Sequence, residues 1–245
     1  MIGAGEIAAL AAIAFLGALL FGITGFGAAL ITIPLATHFV PLPFALALFA
    51  LGDLAMALSV GLENPRNAVR SEWTRLVPMI LAGTALGVTL LVNLPRQAGL
   101  LLLGLFVFSY ALYSLFGGMR AGIIAAGWAW VAGLAGGITS AVFGAGGPPY
   151  AIYLSHRGLT KEQFRATMGF ATMTSISLRV AAFLITGLLL QMEVWKAALA
   201  VVPAAFAGIL IARRAFIRIS REALMKAVGL MLLVSGASLV LRALA

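Results

Sequence analysis

Of the 245 residues, 63% are hydrophobic and 9% charged, where an average soluble domain has about 25% charged, and the mean hydropathy is +1.12. Sixteen basic and seven acidic side chains cannot cover a water-soluble domain of this size, so the composition specifies an integral membrane protein. The net charge of +9 sits in short clusters between apolar segments, as topogenic charges and lipid-headgroup contacts do, and this excludes a nucleic-acid partner.

The chain has no cysteine, which excludes a disulfide framework and thiolate metal or redox chemistry. Its two histidines, His38 and His156, are too few for a histidine metal or haem site, and no cofactor or metal is expected. Taken in order, the first apolar block, 6–39, is too long for one helix and is broken at Gly22-Ile-Thr-Gly-Phe-Gly27. No basic segment precedes it, so no cleavable signal peptide is expected. Spanning helices of roughly 20 residues are predicted at 44–61, 75–93 and 98–116. Block 121–155 is again too long and again broken, at Gly144-Ala-Gly-Gly147 followed by Pro148 and Pro149. Three further spans are predicted at 165–188, 195–212 and 223–243. Glycine and proline cost a helix interior about 1 and 3 kcal/mol, so two such runs in corresponding places mark breaks that the fold uses.

The halves correspond. Val77-Pro78 with Ala82-Gly83 recurs as Val202-Pro203 with Ala207-Gly208, 125 residues on. Gly25 and Gly27 fall on Gly144 and Gly146 at an offset of 119, and Phe44 falls on Phe164 at 120. Residues 1–117 and 121–245 therefore read as two copies of one unit. Arg66, Arg70 and Arg75, then Arg157, Lys161 and Arg165, then Arg213, Arg214, Arg218 and Arg221 mark three loops as cytoplasmic. Arg120 and the 157–165 loop then share one face, so block 121–155 must enter and return on that face, and block 6–39 on the other. The expected architecture is all-α, with two inverted repeats, each a re-entrant or broken hairpin plus three transmembrane helices, and both termini on the outer side. Inverted repeats with discontinuous helices are the common build of secondary transporters. Non-helical backbone survives at membrane depth only where protein or a water-filled cavity satisfies it.

The segment Gly25-Phe26-Gly27-Ala-Ala-Leu-Ile-Thr-Ile-Pro34 and the run Gly144-Ala145-Gly146-Gly147-Pro-Pro resemble the paired glycine motifs of the TauE/SafE sulfite exporter family, which includes toluenesulfonate uptake permeases. The resemblance covers the whole chain. It implies a multi-pass carrier of the bacterial cytoplasmic membrane, with small organosulfur anions such as sulfite, sulfoacetate or other sulfonates as substrates.

Arg179 is the sharpest single feature, because an arginine mid-span costs at least about 2.5 kcal/mol on insertion scales. Thr172, Ser175 and Arg179 share one helical face, and a planar guanidinium beside hydroxyls suits a sulfonate. Asp53, the acid inside span 44–61, is its candidate partner. Pairing with Arg179, proton carriage and a plain polar contact all remain open for it. The breaks add Thr24, Gly25, Phe26, Gly27, Gly144, Ala145, Gly146 and Gly147, where free backbone N–H groups and a helix dipole would attract an anion. Leucine at Gly27 or Gly146 is expected to abolish transport and leave folding intact. Trp73, Trp128, Trp130 and Trp195 read as interfacial anchors, and Tyr150 and Tyr153 as packing residues, with lining of the cavity as the lesser alternative.

No nucleophile–base pair or phosphate loop is visible, so the expectation is a transporter and not an enzyme. Export of an anion is aided by about 2.3 kcal/mol per charge per 100 mV of inside-negative potential and needs no coupling ion. The alternatives are proton-coupled uptake through Asp53 and a passive anion channel. The partners this reading admits are a small sulfur anion, membrane lipids, protons and a second copy of the chain.

Overall fold

The computed structural model describes residues 3–24, 27–116, 122–215 and 221–244. They form ten helices: α1 (Ala4–Thr24), α2 (Ala28–Ala36), α3 (Leu42–Gly61), α4 (Arg70–Asn93), α5 (Arg96–Phe116), α6 (Trp128–Phe143), α7 (Gly147–Ser155), α8 (Lys161–Ile185), α9 (Met192–Ala215) and α10 (Arg221–Leu244). A 3₁₀ turn precedes α4 and another precedes α9. No strand occurs among the described residues. The order long, short, long, 3₁₀, long, long therefore occurs twice. Both α2 and α7 have nine residues, and the starts of α2 and α7, and of α3 and α8, lie 119 residues apart.

Local chemistry sets the ends. Gly144 closes α6 at φ +73, a left-handed cap that glycine adopts without steric cost. The chain restarts as α7 with Pro148 and Pro149 in the first turn, where a missing N–H removes no helical bond. Gly27, at φ +89, is the N-cap of α2, whereas its counterpart Gly146 caps α7 at φ −73. Thr160 and Gln163 form a reciprocal capping box, so α8 begins at Lys161, four residues before the predicted start. It ends at Ile185, because Gly187 turns the chain at φ +79. Likewise α4 begins at Arg70, its polar first turn carrying Arg70, Ser71 and Glu72.

Among the described residues six helices, α1, α3, α4, α5, α8 and α9, are long and apolar enough to cross a membrane. At 1.5 Å per residue, the sixteen residues of α6 reach about 24 Å, short of a bilayer core of about 30 Å. It is too short to cross by itself. The molecule is an all-α, multi-pass membrane protein. Large apolar side chains such as Leu81, Leu86, Leu90, Leu199 and Leu210 face outward, where lipid replaces water, and the helix contacts are made by small residues.

The principal helix pairs are α4 with α6, α1 with α9, α5 with α10 and α3 with α8, so the first helix of each half lies against the fourth of the other. A Cβ on Gly83 of α4 would collide with the carbonyl oxygen of Leu134 in α6; one on Gly208 of α9 would stand 2.5 Å from that of Phe15 in α1. Gly87 meets Ala141, and Ala212 meets Gly22, with the glycine and alanine exchanged. These contacts match at the offsets of 119 and 125. Gly83→Ala and Gly208→Ala are each expected to destabilise by about 1–3 kcal/mol through overpacking, read as a lower melting temperature in detergent. Gly52→Ala is the control and should be neutral or stabilising, since its new methyl would find only Ala205 Cβ, at 3.7 Å.

Two of the three basic loops meet at one end of the bundle. Arg165 pairs with Glu63 at 3.1 Å, Arg157 with Glu72 at 2.9 Å, and the Val69 N–H donates to Thr167 Oγ1 at 2.9 Å. Arg120 and Arg218 lie outside the described residues, as do the side chains of Arg213, Arg214 and Arg221.

Candidate functional site

Both helix breaks open on one internal cavity. Gly27, Ala28 and Ala29 line it from the first hairpin, and Gly144, Ala145, Gly146 and Gly147 from the second. Between them stand Asp53 of α3, Thr172 and Ser175 of α8, Ser140 of α6 and Tyr150 of α7. The cavity gives about 30 Å³ to the centres of water-sized spheres, room for a water or two and less than a sulfonate needs. Of the residues expected at the site, Gly25 and Phe26 lie outside the described residues, as does the Thr24 side chain. All the others except Arg179 line the cavity directly.

Arg179 stands just behind the lining, with its residue 1% exposed. Its Nη2 donates to Asp53 Oδ2 at 2.7 Å, and its Nη1 donates to the carbonyl oxygen of Ser140 at 3.1 Å. The Nε–H is buried without a hydrogen-bond partner. The Ser140 carbonyl belongs to the last turn of α6 and also accepts the Gly144 N–H at 2.9 Å. The guanidinium therefore sits at the negative end of α6, where a cation is favoured. Asp53 and Thr172 occupy the same place in the two halves, 119 residues apart. One half supplies an acid to the cavity wall and the other a hydroxyl.

The two short arms, α2 and α7, begin at the cavity and direct their helix starts toward it. In α7 the prolines carry no N–H and that of Tyr150 makes the first helical bond, so the helix start offers the N–H groups of Gly146 and Gly147 alone. Ser175 and Tyr150 share a hydrogen bond of 3.0 Å, which spends one hydroxyl hydrogen and leaves the other for a ligand. Thr172 Oγ1 bonds back to the carbonyls of Met168 and Gly169 at 2.9 and 3.0 Å, so toward the cavity it acts as an acceptor.

Ser140 was not expected at this site, and for Tyr150 lining the cavity was the lesser alternative to packing. Tyr150 is fully buried, and its ring fills the space that Gly136 leaves open: a Cβ there would strike the ring. The pairing of an aromatic with a glycine run on the facing arm was the available signal. Trp73 also differs from its reading. Its indole N–H donates to Thr174 Oγ1 at 3.0 Å and its ring packs edge-on against Phe170, so it ties α4 to α8. Trp128, Trp130 and Trp195 are exposed, as interfacial residues are. Among the described residues no three His, Asp or Glu side chains gather as a metal site would need.

A family model described as Sulfite exporter TauE/SafE matches residues 10–239, a span that takes in both breaks, the Asp53–Arg179 pair and every described cavity residue. Over 165 residues the chain is 26% identical to a Comamonas testosteroni protein named Probable inner membrane transporter protein TsaS, an alignment covering 67% of this chain and 69% of that one. No solved structure matches. The chain belongs to the sulfite exporter TauE/SafE family of membrane transporters.

Proposed function

We propose that the protein is a secondary transporter of the cytoplasmic (inner) membrane that exports a small sulfur oxyanion or sulfonate, with sulfite and sulfoacetate as the leading substrates. It works by alternating access at a midplane site between two inverted repeats, residues 1–117 and 121–245, with both termini outside. The observation that carries this reading is the convergence of both glycine breaks with Asp53, Thr172 and Ser175 on one cavity. Further support comes from the exchanged pairing of α1 with α9 and α4 with α6, from the family, and from the relative's name as an inner membrane transporter.

The chemistry follows from the parts. Two helix starts supply partial positive charge and N–H groups to a tetrahedral anion, and the Ser175–Tyr150 pair supplies a hydroxyl hydrogen. Arg179 is engaged by Asp53, so an anion that takes the guanidinium must displace the carboxylate. That exchange couples binding to rearrangement. The cavity has room for water but not for substrate, so the arms must part on one face and then on the other. The alternative of proton-coupled uptake draws on the same pair, since a proton is the smallest cation that can follow when substrate leaves Asp53 without Arg179.

Purified protein in liposomes, screened with sulfite, thiosulfate, sulfoacetate, taurine and aromatic sulfonates, tests the reading. Saturable flux with counter-exchange is expected for at least one of the sulfur anions. Linear flux without counter-exchange would make it a pore, and no flux of any of them would overturn the substrate class. Movement of protons with substrate would select coupled uptake.

A further inference from the structure

One turn beyond Tyr150 along α7 lies a second buried polar cluster, outside the cavity. Glu72 in the first turn of α4 is 5% exposed and is held by three partners. Its Oε1 accepts from Arg157 Nη2 at 2.9 Å and from Arg75 Nη1 at 3.0 Å, and its Oε2 accepts from the Tyr153 hydroxyl. Arg157 also donates from Nη1 to the carbonyl of Ile124, and its guanidinium lies 5.9 Å from the centre of the Tyr153 ring. The hydrogen bond to Glu72 raises the pKa of Arg157 still further.

This cluster fastens the far end of α7 to α4 and to the segment before α6. The near end of α7 is fastened at the cavity: a Cβ on Gly146 would stand 2.7 Å from the Gly136 carbonyl, and Tyr150 bonds Ser175. An α7 of nine residues is only about 13 Å long. For the cavity to open toward the basic loops, α7 must swing, and the Glu72 cluster is what opposes the swing. The other half builds its short arm from different residues: at the same offsets of 125 and 119, Ala197 stands for Glu72, Ala200 for Arg75, Pro34 for Tyr153 and His38 for Arg157.

We propose that Glu72, Arg157 and Tyr153 are positioning residues that form a one-sided gate, an ionic latch that keeps α7 closed on the face of the basic loops. The inference rests on the alternating-access reading given above. Pulling Tyr153 and Arg157 away strips a buried carboxylate of its donors, a far larger penalty than parting apolar contacts.

The chain is free of cysteine, so Ser140→Cys gives a single probe in the cavity wall. Its rate of reaction with a membrane-impermeant methanethiosulfonate is measured in right-side-out and inside-out vesicles. Arg70→Cys and Lys196→Cys in separate proteins identify the two faces. In Glu72→Gln, labelling of the probe from the Arg70 side should rise roughly tenfold, the scale of one lost charge-assisted hydrogen bond, with no change from the Lys196 side. Tyr153→Phe removes a single hydroxyl from the latch and should move the same rate in the same direction if Glu72→Gln fails to fold. An unchanged rate from the Arg70 side in folded Tyr153→Phe would overturn the gate, and so would an equal rise from both sides. Labelling of Arg70→Cys and Lys196→Cys from the same side would overturn the inverted topology alone, because the latch is scored relative to Arg70.

Discussion

Arg179→Ala is expected to abolish transport and to destabilise the protein by roughly 3–5 kcal/mol, the cost of leaving one member of a buried pair without the other. The side chain is 1% exposed, it holds Asp53 at 2.7 Å, and it caps the Ser140 carbonyl at the end of α6. Two buried acceptors lose their donor at once. Arg179→Lys keeps the charge but cannot serve Asp53 and the carbonyl with one planar fork, so it should fold better than the alanine variant and bind substrate weakly. The double variant Asp53→Asn with Arg179→Gln carries no buried charge and should regain most of the melting temperature. If the anion must compete with Asp53 for the guanidinium, transport stays absent in the double variant. Normal flux there would take Arg179 out of the substrate's path and leave the pair a purely structural one. Melting temperature in detergent and flux in liposomes, measured for the singles and the double, separate the two roles.

The second large effect distinguishes two glycines that the sequence treats alike. Gly27→Leu is expected to fold and to lose transport, whereas Gly146→Leu is expected not to fold. At Gly27 a Cβ would meet Leu30 Cδ1 at 3.6 Å, an ordinary contact. The penalty is the left-handed backbone at φ +89, about 1–3 kcal/mol for a residue with a side chain. At Gly146 a Cβ would stand 2.7 Å from the Gly136 carbonyl, 2.9 Å from Ser140 Cβ and 3.2 Å from Ser175 Oγ. Neither backbone can give. The expectation that leucine at Gly146 leaves folding intact is therefore corrected by these contacts. Yield of monodisperse protein and flux for both variants test this, and wild-type flux in Gly27→Leu would remove the first break from the site.

Glycine and proline runs announce themselves, so the two breaks and the helices α3, α4, α5, α8, α9 and α10 were legible to within about five residues, whereas the span-length α1 was hidden inside the first long block. The partnership of Asp53 with Arg179 was open because 126 residues separate them and spacing along a helix says nothing across the bundle. Glu72 was missed for another reason. The Arg70-Ser71-Glu72 turn is polar and reads as loop, yet it begins α4 and carries the carboxylate inward. Tyr150 and Tyr153 looked like packing because an aromatic ring in an apolar helix gives no sign of where its hydroxyl points. Beneath these cases lies the solvent. In lipid, the outward leucines of α4 are as apolar as anything inside, so hydropathy cannot sort core from surface. Small residues mark the interior instead, and their pattern becomes readable only once helices are paired.

That pairing has a consequence for how the protein is made. The contacts of Gly83 with α6 and of Gly208 with α1 are matched in the finished molecule, but the ribosome delivers them very unequally. Residue 128, where α6 begins, follows the end of α4 by 35 residues, whereas α9 begins 168 residues after α1 ends. At 5–20 residues per second, α1 waits roughly 8 to 30 s for its partner, with its glycine face turned to lipid or to whatever insertion machinery shelters it. One rib of the carrier can thus assemble during synthesis, and its twin only near the end. A chain stopped short of α9 would leave α1 inserted and permanently unclasped, a marked substrate for the membrane's quality-control proteases.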